Sequence, residues 1–176
     1  LPVPRGAEPR TVAHALVRVA DEIVDGPAAE AGLSESARLD TLNDFETATY
    51  QAIDAGFSTN LIIHAFAQTA RECGINREII EPFFSSMRTD ISTTAHDALS
   101  HSVYVYGSAE VVGLMCVRVF VNAGRPQPVR PDKALDAGAQ KLGSAFQNVN
   151  FLRDLPIDSR LLGRDYLGVT EGRSSR

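Results

Sequence analysis

The 176 residues are 44% hydrophobic and 22% charged, a composition that fits one soluble globular domain and excludes a disordered chain. A formal net charge of −5 and a pI near 5.3 exclude the basic excess of a nucleic-acid binder, so nucleic acid is not an expected partner. An anionic substrate stays compatible with this charge if cations reverse it locally.

Cys73 and Cys116 are the only cysteines. Without a secretory leader they read as free thiols in a reducing cytoplasm. Residues 1–10 contain three prolines and no apolar h-region of a signal peptide. The longest apolar stretch, residues 111–121, is interrupted by Arg118 and too short to span a bilayer. The expected location is cytoplasmic, with any membrane contact peripheral and the oligomeric state open.

The chain then reads as helices in succession. Val12, Leu16, Val19 and Ile23 recur at three- and four-residue steps, predicting a helix over 11–25 that Gly26-Pro27 ends. Ser34 opens a second, with Leu39, Leu42, Phe45, Thr49 and Ile53 along it and Gly56 at its stop. Asn60 caps a third that ends at Gly74. A fourth runs from Asn76 to Ile91, with a kink or break expected at Pro82. Residues 104–120 form a central apolar helix in which Gly107, Ala109 and Gly113 would let neighbours approach closely. After a Gly/Pro-rich connection, Pro131 suits the first turn of a long helix reaching Asp154. Its apolar side would carry Ala134, Leu135, Ala137, Leu142, Ala145, Phe146, Val149 and Leu152. The last ten residues, 167–176, read as a flexible tail. No stretch of period two demands a sheet, so the expected fold is all-α and a single domain.

Two constellations could carry chemistry. In Arg18-x-x-Asp21-Glu22-x-x-Asp25 the two aspartates lie one helical turn apart on one face. Their repulsion would be relieved by a divalent cation held between carboxylate oxygens. Arg18, on much the same face, could neutralise a carboxylate or grip a phosphate. Such acidic spacing also occurs on solvated helices. The second constellation is Gln147-x-x-Asn150-x-x-Arg153-Asp154-x-x-x-Asp158. Two amides and a carboxylate line one stripe at the end of a long helix with an apolar side, and buried polar atoms need partners. Pro156 bends the helix or places Asp158 on a turn. A polar helix end followed by a surface acidic turn is the alternative. A helical bundle can bring two such clusters face to face, and magnesium held there would bind a diphosphate and assist its departure.

Four segments together resemble the squalene/phytoene synthase family, the head-to-head trans-isoprenyl diphosphate synthases, and are most like its bacterial phytoene synthases. They are residues 18–25 (RVADEIVD), 86–90 (SMRTD), 104–113 (YVYGSAEVVG) and 147–154 (QNVNFLRD), in the family's order and at about its spacing. The stretch Gly163-Arg164-Asp165-Tyr166-Leu167 is also similar. The resemblance implies an isoprenoid-synthase-type helical bundle around a central cavity. It implies a Mg2+-dependent prenyltransferase, with Mn2+ as a substitute, whose partners are prenyl diphosphate substrates. Two such molecules, by implication geranylgeranyl diphosphate, would join head to head into phytoene through a cyclopropyl diphosphate. Squalene or dehydrosqualene synthesis from farnesyl diphosphate is the alternative, and a non-catalytic scaffold or assembly subunit of the same fold is another. Carried over, Asp21, Asp25, Asp154 and Asp158 are metal ligands, Arg18 and Arg153 are diphosphate contacts, and Tyr106, Gln147 and Asn150 line the reacting end. Asp90 is a supporting or structural residue.

The sequence departs from the family at three places. Pro156-Ile157 stands where glycine and an acidic residue are usual. Glu110 replaces a common glycine and needs a buried partner. Family chains also extend further at both ends, so the resemblance implies an incomplete bundle. His14, His64, His96 and His101 lack metal-ligand spacing, and neither a nucleophile elbow nor a phosphate-binding glycine loop is visible. Phe83 and Phe84 read as core.

Overall fold

The structure, a computed structural model, describes residues 9–92 and 98–157. Helices α1 (Pro9–Val24), α2 (Pro27–Glu30), α3 (Glu35–Ala55), α4 (Leu61–Cys73) and α5 (Arg77–Ser92) come first. A single helical run follows, divided into α6 (Ala98–Val105), a π-helical turn (Tyr106–Glu110) and α7 (Val111–Asn122). Helix α8 (Lys133–Ile157) comes last. No strand occurs among the described residues, so the chain is an all-α bundle of the kind isoprenoid synthases use.

The helix ends form where short-range chemistry asks for them. Ser34 Oγ accepts from the Ala37 amide at 3.2 Å, and Asn60 Oδ1 accepts from the amides of Ile62 and Ile63 at 3.0 and 3.2 Å. Each satisfies amides that the first turn of a helix leaves without a carbonyl. Gly56 and Gly74 close α3 and α4 at φ of 73° and 72°, a left-handed backbone that any side chain would strain. At the start of α8 the cap is Asp132, whose Oδ1 accepts from the Leu135 amide at 2.7 Å. Pro131 therefore precedes the helix and does not occupy its first turn.

Three further sequence expectations need correction. α5 continues through Pro82 without a break. One missing amide costs one hydrogen bond, while Ile79, Ile80, Phe83 and Phe84 on either side are buried in the core. The central helix begins at Ala98 and contains a π turn, a type of bulge that recurs at functional positions. The third concerns α8. Leu135, Leu142, Phe146 and Val149 are 49–64% exposed, so the predicted apolar side faces outward among the described residues.

Helix α8 packs instead through its small residues. A Cβ on Gly113 of α7 would lie 2.5 Å from the Ala139 carbonyl oxygen, and one on Gly143 of α8 would lie 2.5 Å from that of Ala109. The two backbones approach so closely that only hydrogen fits between them. Gly107 meets Pro82 and Ser86 of α5 in the same way.

The core gathers around α1 and α5. Leu16, Leu42, Phe66, Ile80, Phe83, Phe84 and Met115 are fully buried. α1 packs on α3, α4, α5 and α7; α8 packs on α7 and the π turn. Helix α7 thus touches both helices that carry the two acidic constellations. Burying each such aliphatic or aromatic side chain contributes about 1.5–3 kcal/mol.

Candidate active site

Helix α1 buries Leu16, Ala20 and Val24 and so turns Arg18, Asp21, Glu22 and Asp25 toward its outer side. Its last carbonyl, that of Val24, accepts from the Arg38 guanidinium at 2.6 Å. The Asp25 amide donates to the Asp21 carbonyl at 2.7 Å, which keeps Asp25 in helical phase although it lies just past the helix end. The two carboxylates therefore remain one turn apart, Asp21 half-buried and Asp25 exposed.

Burial raises the Asp21 carboxyl from 3.8 to about 6. The neighbouring Asp25 charge adds to this, and Arg18 partly opposes it. Arg18 forms an ion pair with Glu22 and is mostly exposed. An exposed pair of this kind contributes little, so the guanidinium can exchange its partner for a phosphate at small cost.

The donor set fits a magnesium ion. Two carboxylates that repel each other in a half-dry position gain from a divalent cation. Magnesium is commonly held by one or two carboxylates, with phosphate oxygens and water completing its shell. Among the described residues no three histidine, cysteine, aspartate or glutamate side chains converge on one point. An all-protein cage is thus not built there, and substrate oxygens would have to complete the coordination.

On α8, residues 139, 143, 147, 150 and 154 follow one another at steps of four, four, three and four. Ala139 and Gly143 are the residues in backbone contact with α7 and the π turn. Gln147 and Asn150, both half-buried, extend that stripe toward the C-terminal end, with the backbone position of Asp154 next. Arg153 and Asp154 belong to α8, but their side chains lie outside what the structure describes. Asp158, the 163–167 stretch, the tail 167–176 and His96 also lie outside the described residues.

Tyr106 is 36% exposed. It opens onto a groove of about 910 Å3 shared with Tyr50, Arg77, Glu81 and Val103, and onto a smaller cavity of about 390 Å3 with Arg118 and Gln140. The structure does not bring it to the Asp21–Asp25 pair in either cavity. The buried tyrosine of this segment is Tyr104, whose hydroxyl donates to Asp90 Oδ2 at 2.8 Å. Asp90 thus anchors α6 to α5. Arg88 ties α5 to α3 through Glu46 and through Asn43 Oδ1, the latter at 2.8 Å.

Glu110 does have a partner: Gln140 Nε2 donates to its Oε2 at 3.3 Å. Tyr104 also lies beside Phe151 of α8, ring centroids 6.0 Å apart, and His101 stands 5.3 Å from the same ring. Read from the sequence, His101 has no ligand role and Tyr104 only a place in the 104–113 segment. Their three-residue spacing, with Ser108 four further on, was the available signal.

Among the described residues one run, Ser100–Asn122, is long and apolar enough by composition to cross a bilayer. Val111, Leu114, Met115 and Val119 of that run are buried in the bundle, the profile of a core helix. Its outward residues Val103 and Phe120 are 63% and 67% exposed, an apolar surface compatible with peripheral membrane contact.

No match to the chain is found among curated proteins. The sequence model of the squalene/phytoene synthase family matches residues 4–171, nearly the whole chain. The chain therefore belongs to the squalene/phytoene synthase family, whose general activity is the condensation of prenyl diphosphates by a transferase.

Proposed function

We propose that the protein joins two allylic prenyl diphosphates head to head, with geranylgeranyl diphosphate as substrate and phytoene as product, by way of a cyclopropyl diphosphate. The observation that carries the reading is the division of α8 into two adjoining stripes. One bears Gln147, Asn150 and the position of Asp154; the other bears Leu142, Phe146 and Val149, which are 60–64% exposed. A polar head and a long hydrocarbon tail are what such a pair of stripes would accommodate.

In this reading Asp21, Asp25, Asp154 and Asp158 hold magnesium, with Mn2+ as a substitute, and Arg18 and Arg153 contact the diphosphate. Bound there, magnesium supplies neutralisation of the diphosphate charge as it leaves. Gln147 and Asn150 orient the head group. The apolar flank of α8 lies along the hydrocarbon of the substrate, and ionisation of the allylic diphosphate needs no protein nucleophile. The absence of a dinucleotide-binding fingerprint in the sequence favours the non-reducing reaction. Phe120 and Val103 would meet a membrane surface that stores so apolar a product.

The test is incubation of the full chain with geranylgeranyl or farnesyl diphosphate and Mg2+, followed by extraction of the hydrocarbon. A C40 product from geranylgeranyl diphosphate is expected. A C30 product from farnesyl diphosphate alone would move the assignment to squalene or dehydrosqualene synthesis. No product from either, with no Mg2+-dependent diphosphate binding, would support a scaffold of this fold and sink the enzyme reading.

A further inference from the structure

Three polar side chains occupy one stripe of the α6–π run: His101, Tyr104 and Ser108, three and four residues apart. Tyr104 is satisfied by Asp90. His101 Nε2 and Ser108 Oγ are shut off from solvent and have no hydrogen-bond partner among the described residues. A buried polar atom left in this state costs about 1–3 kcal/mol, so its persistence asks for a ligand or water that completes it.

The register between the two helices says where His101 lies. The contacts of Gly113 with Ala139 and of Gly143 with Ala109 make α8 antiparallel to the α6–α7 run. Carried back along that register, His101 falls opposite Phe151, as their ring centroids at 5.3 Å confirm. Phe151 directly follows Asn150 and stands one turn before Asp154. His101 is therefore level with the polar end of α8, whereas Ser108 lies deeper, beside the Gly143–Gln147 turn.

We infer that His101 is a further substrate-binding residue, donating its Nε2–H to an oxygen of the diphosphate held at the Asp154 end of α8. This rests on the diphosphate reading of the site given above. The ring is fixed from one side by Phe151, so the donor is oriented before the ligand arrives, and little side-chain entropy is lost on binding.

The experiment is calorimetric titration of inorganic diphosphate with Mg2+ into the full chain, as wild type and as His101→Ala, His101→Gln and Asp21→Asn. His101→Ala is expected to weaken binding about tenfold or more, the usual effect of a hydrogen bond to a charged group. His101→Gln keeps an N–H donor and is expected to recover most of that loss. In 15N-histidine spectra of the wild type, the His101 Nε2 resonance should move when diphosphate is added. Wild-type affinity in His101→Ala, with binding abolished in Asp21→Asn, would overturn the His101 assignment and leave the functional reading standing. Equal losses in His101→Ala and His101→Gln, with a still His101 resonance, would mean a structural role and also overturn it. A wild type that binds no diphosphate would overturn the functional reading itself, and the His101 assignment with it.

Discussion

Asp21→Asn should stabilise the metal-free protein while destroying its metal site. In the folded chain the Asp21 carboxyl is raised from 3.8 to about 6, first by burial and then by Asp25. A raised carboxyl binds its proton more tightly in the folded state than in the unfolded one. Stability is then greatest below pH 4 as far as this group is concerned, and is lost as pH rises from about 4 through 6. Each unit corresponds to about 1.4 kcal/mol, and solvent around a half-buried group reduces the full effect to about 1–2 kcal/mol. Asparagine carries no charge to desolvate. In urea or thermal unfolding without divalent metal, Asp21→Asn should gain about 1–2 kcal/mol at pH 7.5, or about 3–6 °C in Tm for a chain of this size. At pH 4 the difference should vanish. Adding Mg2+ and diphosphate should raise the Tm of the wild type and leave the variant unmoved. An Asp21→Asn protein less stable than wild type at pH 7.5, or equally displaced at both pH values, would refute the burial argument.

Three further substitutions probe other parts of the structure. Gly143→Ala places a methyl against the Ala109 carbonyl at 2.5 Å, so it should cost about 1–3 kcal/mol in urea unfolding as α8 is pushed from α7. Tyr104→Phe removes the buried donor to Asp90 Oδ2; a loss of about 1–3 kcal/mol is expected, and Tyr104→Phe combined with Asp90→Asn should cost less than the sum of the singles. Phe146→Asp lies on an exposed face of α8, so unfolding should change by no more than about 0.5 kcal/mol, whereas condensation of prenyl diphosphates should fall at least tenfold if that face receives the hydrocarbon.

Local chemistry made much of the fold readable in advance. Ser34, Gly56, Asn60 and Gly74 each mark a helix boundary by a hydrogen bond or a left-handed turn that depends on few neighbours. The Asp21–Asp25 pairing was equally legible, since helical spacing alone sets it. Other features depended on partners far along the chain. Periodicity assigned the large residues of α8 to its buried side, but close packing on α7 selected Ala139 and Gly143 instead. That Tyr104 is buried while Tyr106 is exposed has the same origin. The phase of that run is set by Phe151 and Asp90, neither of which is near in sequence.

Asn122 carries a consequence for how this family member can vary. Its fully buried amide donates to the Cys73 and Val129 carbonyls at 3.0 Å each, and its oxygen accepts from the Val129 amide at 2.7 Å. One side chain thus grips residue 129 by both backbone groups, as a neighbouring strand would. The intervening residues 123–128 are exposed and stand upstream of that grip. Insertions or deletions among them would be taken up as loop, without rotating α8 and the amides of Gln147 and Asn150. A length change between Val129 and Asp132, only a few positions later, would be passed directly into the phase of the helix.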